Sequence, residues 1–166
     1  MQVSKEIQVD YGHTLPNHYG FCNQIHGHRA RIVATVQGHY ENKEGTEQGM
    51  VLDFKFLKEI MMNKIHGVLD HGFAIWKDDT REIEVTLSEV QKNRIMEDTI
   101  NIETLEFIKA RNEKVLITEL PPTAEVLAKW AFRQIKSELP QGIVLVSVMW
   151  YETPNSFATC TDCLSE

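Results

Sequence analysis

The stretch Cys22-Asn-Gln-Ile-His26-Gly-His28 brings a thiol and two imidazoles together within seven residues. Side chains two apart on a strand point to the same face. A strand here presents His26 and His28 side by side, and Gly27 between them leaves room for close approach. His13 closes an earlier alternating stretch, and a hairpin-like pairing of the two stretches sets it beside the pair. Three neutral imidazoles are a standard catalytic zinc set with the fourth position open to water or substrate. Nitrogen donors favour zinc over magnesium. The plain alternative is a chance cluster among seven scattered histidines. Cys22 has two readings, as a fourth ligand that closes the site or as a base beside the cation. A nearby cation or imidazolium eases loss of the thiol proton.

Three further groups carry possible chemistry. Asp70-His71 follows a helical stretch, and an aspartate that orients a histidine makes a proton shuttle with a fixed tautomer; the same pair in a turn is also a common structural device. Glu152 ends an apolar stripe formed by Val144, Val146, Val148 and Trp150. A carboxylate there needs a partner, because an unpaired buried charge is costly. Two adjacent N–H donors suit it, from an arginine or from an aminopyrimidine-type ring. Thr123 and Glu125, after Pro121-Pro122, read first as a helix start, with Glu125 complementing the helix dipole. Cys160 and Cys163 have metal or redox spacing but no second pair.

The elements that must position these groups follow from periodicity. Val3–Tyr11 and Ile25–Gln37 alternate as half-buried strands, with His26, His28, Ala30, Ile32, Ala34 and Val36 on one side of the second. Asp53 caps a helix carrying Phe54, Leu57, Met61 and Ile65, ending near Gly67. A second helix starts at Thr123 and runs to about Ser137, with Leu127, Trp130, Ala131 and Gln134 in contact spacing. Ile143–Tyr151 is an apolar strand and Phe157–Cys160 a last short one. KVLITEL reads as a short extended piece. Residues 77–114 show no clean period and read as a partly helical insertion. The order predicts one α+β domain over residues 1–166, an antiparallel sheet with helices on one face.

The length of 166 residues suits a single core. A net charge of −7 without a basic stripe argues against a nucleic-acid partner. No apolar run is long enough for a bilayer and the first residues lack a signal-peptide layout, which predicts no membrane partner and a cytoplasmic location. Three cysteines are too few for a disulfide scaffold.

Taken in order, Gly12-His13, Cys22-Asn-Gln-Ile-His26-Gly-His28, Gly49-Met-Val-Leu-Asp53-Phe, Leu69-Asp70-His71, Pro122-Thr-Ala-Glu125 and Tyr151-Glu152-Thr153 resemble the 6-pyruvoyl-tetrahydropterin synthase family. The resemblance spans nearly the whole chain outside residues 77–114. It implies the T-fold (tunnelling fold): a four-stranded antiparallel sheet with two main helices between strands two and three. It also implies a homo-oligomer, a hexamer of two stacked trimers with active sites at subunit interfaces. By position, His13, His26 and His28 match the family's zinc ligands, one Zn2+ per subunit. Cys22 matches the proton-abstracting thiol, and Asp70 and His71 the second proton-transfer pair. Glu152 matches the carboxylate that anchors the pterin ring, and Thr123 lies in the motif lining the ring pocket. The implied substrate is the pterin 7,8-dihydroneopterin triphosphate.

The three-residue gap between Cys22 and His-Gly-His is similar to bacterial 6-carboxy-5,6,7,8-tetrahydropterin synthases of the queuosine and 7-deazaguanine route, which eliminate triphosphate and release acetaldehyde. The alternatives are a 6-pyruvoyl-tetrahydropterin synthase and a non-catalytic zinc- or pterin-binding module. Thr14, Arg29-Ala30 and Tyr151 depart from the family pattern, so no triphosphate contacts carry over.

Overall fold

The computed structural model describes residues 1–40, 45–79 and 114–162. Strand β1 (Gln2–His13) buries Ile7, Val9, Tyr11 and His13 in strict alternation. Strand β2 (His26–Gln37) does the same with Ala30, Ile32, Ala34 and Val36. The two pair antiparallel in unbroken register, from Gln2 opposite Gln37 to His13 opposite His26. Period-two patterning of this kind excludes a one-residue slip, which would turn an apolar set out to solvent. The opposite face carries Glu6, Asp10, Arg29 and Arg31, joined as Arg29–Asp10 and Arg31–Glu6 ion pairs.

Helix α1 (Phe54–Met61) starts at Asp53, whose carboxylate accepts the Lys55 amide at 2.8 Å. It continues through a π-helical turn at Met62–His66 into α2 (Gly67–Leu69), beyond the expected end near Gly67. Met61, Ile65 and Leu69, at spacings of four, are all fully buried along this continuous helical stretch. Short strands β3 (Gly72–Trp76) and β4 (Val115–Thr118) follow. The latter confirms the extended reading of KVLITEL.

Helix α3 (Ala124–Lys136) is capped by Thr123 and ends at Ser137, as expected. Its buried stripe is Leu127, Ala128, Ala131, Phe132 and Ile135. Trp130 and Gln134, expected in that stripe, are only half-buried at its margin. Strands β5 (Val144–Thr153) and β6 (Ser156–Thr161) follow α3.

The sheet order is β4-β3-β1-β2-β5-β6. The four antiparallel strands expected are β1, β2, β5 and β6, with the helices falling between β2 and β5 in the chain. To these the structure adds β3 and β4, parallel additions on the β1 side that make the sheet mixed. Of the two, β3 is too short and too little alternating to have shown as a strand, whereas β4 is the extended piece read in KVLITEL. The core lies between the helices and the buried sheet face, centred on Trp150, Ile32, Met61 and Leu127. Each such side chain contributes roughly 1.5–3 kcal/mol by leaving water.

Two bulges shape β5. Ser147 pairs with Thr35 but Leu145 with Val36, so Val146 is the extra residue. The bulge turns Leu145 inward and leaves Val144 exposed, correcting the expected stripe at its first two positions. The second falls at Glu152: Tyr151 pairs with Phe157 and Thr153 with Ser156. The insertion expected over 77–114 lies, apart from its ends, outside the described residues, as does Cys163. Among the described residues no helix is long and apolar enough to cross a membrane.

Candidate metal and proton-transfer site

The β1–β2 register creates the site. His13 stands opposite His26, and Tyr11 opposite His28. The three imidazole centroids lie 4.4, 5.2 and 5.1 Å apart, and each ring offers a nitrogen within 4.8 Å of the others. Two of the three imidazoles have a tautomer with a physical cause. A carbonyl can only accept, so His13 Nδ1–H donates to the Pro122 carbonyl at 2.7 Å and leaves Nε2 as a bare lone pair. His26 Nδ1–H likewise donates to the Gln24 carbonyl at 2.8 Å.

His13 Nε2 is fully buried and is the single buried side-chain nitrogen or oxygen without a hydrogen-bond partner among the described residues. Leaving such an atom unpaired costs about 1–3 kcal/mol. A cation that takes the lone pair removes that cost. Burial pushes the His13 imidazole below its ordinary pKa, and His26 and His28 add to this against the opposing pull of Pro122 and Glu152. The neutral ring is the form that ligates. The donor set thus fits a nitrogen-preferring divalent ion.

Cys22 lies in a 3-10 turn (Phe21–Asn23), half-buried, with a free thiol outside the three-imidazole group. The loop that carries it is clipped at both ends. Leu15 N–H donates to the Cys22 carbonyl at 2.9 Å, and the Thr14 hydroxyl donates to the Asn23 carbonyl at 2.9 Å.

Asp70 and His71 form a direct pair, His71 Nδ1–H to Asp70 Oδ2 at 2.8 Å. Asp70 Oδ1 accepts the Asp10 amide at 3.0 Å, His71 N–H donates to the Asp10 carbonyl at 2.6 Å, and His66 Nε2 lies 3.4 Å from Asp70 Oδ2. Burial alone would raise the Asp70 carboxyl, but the Asp10 amide, His71 and His66 outweigh it and hold it below its ordinary value. His71 takes a left-handed backbone, φ 57°, which turns its ring outward while the carboxylate stays anchored. It borders the same open surface depression as His26 and His28.

Glu152 faces the cluster from β5. Its Oε1 accepts the Tyr11 hydroxyl at 3.1 Å and lies 3.9 Å from His13 Nε2. Its partner within the chain is therefore a tyrosine rather than an arginine. Trp150 Nε1–H donates to the Tyr11 oxygen at 3.4 Å. Burial pushes the Tyr11 phenol far above its ordinary value, so it stays a neutral donor. Thr123 serves as the α3 cap, its hydroxyl accepting the Val126 amide at 3.5 Å, and its neighbour Pro122 supplies the carbonyl that orients His13.

Tyr11, Asp10 and the Pro122 carbonyl are the site groups that sequence patterning missed. Tyr11 reads as ordinary strand core, and a backbone carbonyl 109 residues from its partner leaves no sequence signal.

A sequence model of the family described as 6-pyruvoyl tetrahydropterin synthase matches residues 2–163. Among similar proteins, the 6-carboxy-5,6,7,8-tetrahydropterin synthase of Haemophilus influenzae is 27% identical over 156 residues, covering 94% of this chain and 95% of its own. A putative 6-carboxy-5,6,7,8-tetrahydropterin synthase of Pyrococcus horikoshii is 30% identical over 156 residues, covering 93% and 85%. The fold matches a crystal structure of an uncharacterized protein from Wolinella succinogenes with TM-score 0.66 and 23% identity, covering 98% of both chains. It also matches Caenorhabditis elegans 6-pyruvoyl tetrahydropterin synthase with TM-score 0.60 and 19% identity, covering 97% and 94%. The architecture is that of the T-fold, as the motif resemblance implied.

Proposed function

The chain belongs to the 6-pyruvoyl tetrahydropterin synthase family, and from that membership we propose that it is a zinc-dependent 6-carboxy-5,6,7,8-tetrahydropterin synthase. It converts 7,8-dihydroneopterin triphosphate and water to 6-carboxytetrahydropterin, acetaldehyde and triphosphate, as a cytoplasmic lyase of the queuosine and 7-deazaguanine route. The observation that carries this reading is the triad His13, His26 and His28, with the orphaned Nε2 of His13 at its centre. The names of the relatives and the short gap from Cys22 to His-Gly-His favour the carboxy product over the pyruvoyl one.

His13, His26 and His28 hold the ion through neutral nitrogens. Bound zinc supplies Lewis acidity, which makes C–H bonds beside a polarised oxygen easier to deprotonate. Cys22 takes the proton, from a loop that the Leu15 amide and the Thr14 hydroxyl hold closed at its base. His71, oriented by ionised Asp70, handles the second proton. Glu152 accepts the amino and ring N–H groups of the pterin, and Thr123 lines the ring pocket. The protein works as a homo-hexamer of two trimers, so these groups need not meet within one chain.

The test is to incubate zinc-loaded protein with 7,8-dihydroneopterin triphosphate and analyse the products. Acetaldehyde together with 6-carboxytetrahydropterin, both lost on chelation, is the expected result. A pyruvoyl pterin without acetaldehyde moves the assignment to the pyruvoyl synthase. Bound zinc with no turnover moves it to a binding module.

A further inference from the structure

We propose that Tyr11 is a positioning residue for Glu152, holding the carboxylate toward the ligand ring and away from the metal-facing nitrogen of His13. The inference rests on the reading of Glu152 as the ring-binding carboxylate. Glu152 is the extra residue of a β-bulge, where the ladder is locally broken. Backbone pairing alone therefore does not set its side chain. Two directions compete for it. One is His13 Nε2, 3.9 Å from Oε1, where a bound cation would add strong attraction. The other is the Tyr11 hydroxyl at 3.1 Å.

The Tyr11 hydroxyl is itself fixed. Trp150 Nε1–H occupies one of its lone pairs at 3.4 Å, and the Trp150 ring meets the Tyr11 ring edge-on at 5.6 Å and 82°. Both rings are buried. With the indole donating to its oxygen, the phenol has its own proton free for Glu152 Oε1. The relay Trp150 to Tyr11 to Glu152 therefore runs in one direction and joins two separate strands. It leaves Glu152 Oε2 and the remaining lone pairs for a ligand presenting two adjacent N–H donors, as a 2-amino-4-oxopyrimidine ring does. Tyr11 touches neither the ligand nor the reacting atoms in this scheme.

The experiment titrates neopterin, as a fluorescent 2-amino-4-oxopteridine probe, into zinc-loaded full-length protein. Wild type, Tyr11→Phe, Glu152→Gln and the double variant are compared, with bound zinc measured in each. We expect each single variant to weaken neopterin binding by about tenfold or more, the scale of a hydrogen bond to a charged group. The double variant should bind within about twofold of Glu152→Gln, because the two groups act as one unit. Zinc stoichiometry stays at the wild-type level, and in turnover Tyr11→Phe raises KM and spares kcat. Glu152→Asp keeps the charge but draws it back from the hydroxyl, and it reproduces the loss if Tyr11→Phe is too unstable to use. Normal binding by Tyr11→Phe beside a weakened Glu152→Gln overturns the role of Tyr11 and leaves the reading of Glu152 standing. Normal binding by Glu152→Gln overturns both. Additive losses in the double variant, or loss of zinc in Tyr11→Phe, also overturn the proposal.

Discussion

Gly27→Ala should destabilise the protein although the substitution normally helps. Replacing glycine with alanine where the backbone tolerates it gains about 0.4–1 kcal/mol by narrowing the unfolded ensemble. At Gly27 the added Cβ would sit 2.8 Å from the Tyr11 carbonyl oxygen, with the Tyr11 carbonyl carbon at 3.7 Å and Gly12 Cα at 3.8 Å. The obstacle is backbone held in the β1–β2 ladder, so it cannot swing aside as a side-chain end could. The strands must part, at an overpacking cost of about 1–3 kcal/mol. The net expectation is a loss of about 1–2 kcal/mol.

That displacement falls between the Tyr11–His28 and His13–His26 pairs, so it also moves the imidazoles of the proposed metal site. If about 1.4 kcal/mol of it opposes metal binding, the zinc Kd rises about tenfold. Urea unfolding of the zinc-free protein reads the first effect, and chelator competition reads the second. Gly12→Ala is the comparison: its Cβ meets the edge of the Phe73 ring at 2.9 Å, a side chain that can turn away, so its loss should be smaller. A Gly27→Ala protein as stable as wild type, with unchanged zinc affinity, would refute the steric reasoning and the coupling of strand spacing to the ligand set.

Three other outcomes follow from the same geometry. His13→Ala removes the buried imidazole of the proposed zinc site, so zinc stoichiometry should fall well below one per chain and the thermal stabilisation by added zinc should vanish; for a wild-type site, zinc at a hundred times its Kd is worth about 2.7 kcal/mol by mass action. Metal analysis and melting curves with and without zinc check both. Cys22→Ala should keep zinc and lose turnover, since the thiol lies outside the imidazole group; zinc loss in this variant would instead make Cys22 a ligand. Asp70 titrates below its unfolded value of 3.8, so its stabilising contribution is complete above that pH and drains away as pH falls through the lower folded value. Asp70→Asn should therefore be less stable than wild type near neutrality, with the gap closing under acid, as urea unfolding across that range would show.

The local geometry of the site was legible because strand side chains repeat every two residues. That period alone sets His26 and His28 on the face of Ala30 and Ile32, and Tyr11 on the face of Val9. Helix starts were legible where a side chain closes its own cap, as at Asp53 and Thr123. Periodicity failed where the backbone leaves the regular ladder. The bulge at Val146 turned the first part of β5 over, and the π turn at Met62–His66 carried α1 past Gly67. Neither bulge nor wide turn has a composition of its own for a count of apolar periods to detect.

Residue types and their spacing thus determined the imidazole pair, the Asp70-His71 pair and the α+β order, since these depend on contacts between near neighbours in the chain. Tertiary structure alone decided that Pro122 selects the tautomer of His13, that Asp10 clasps Asp70 through its backbone, and that Tyr11 rather than an arginine meets Glu152. Those contacts join groups 60 to 141 positions apart. They depend on strand register and on where a bulge falls, quantities set by burial summed over the whole core rather than by any local run of residues.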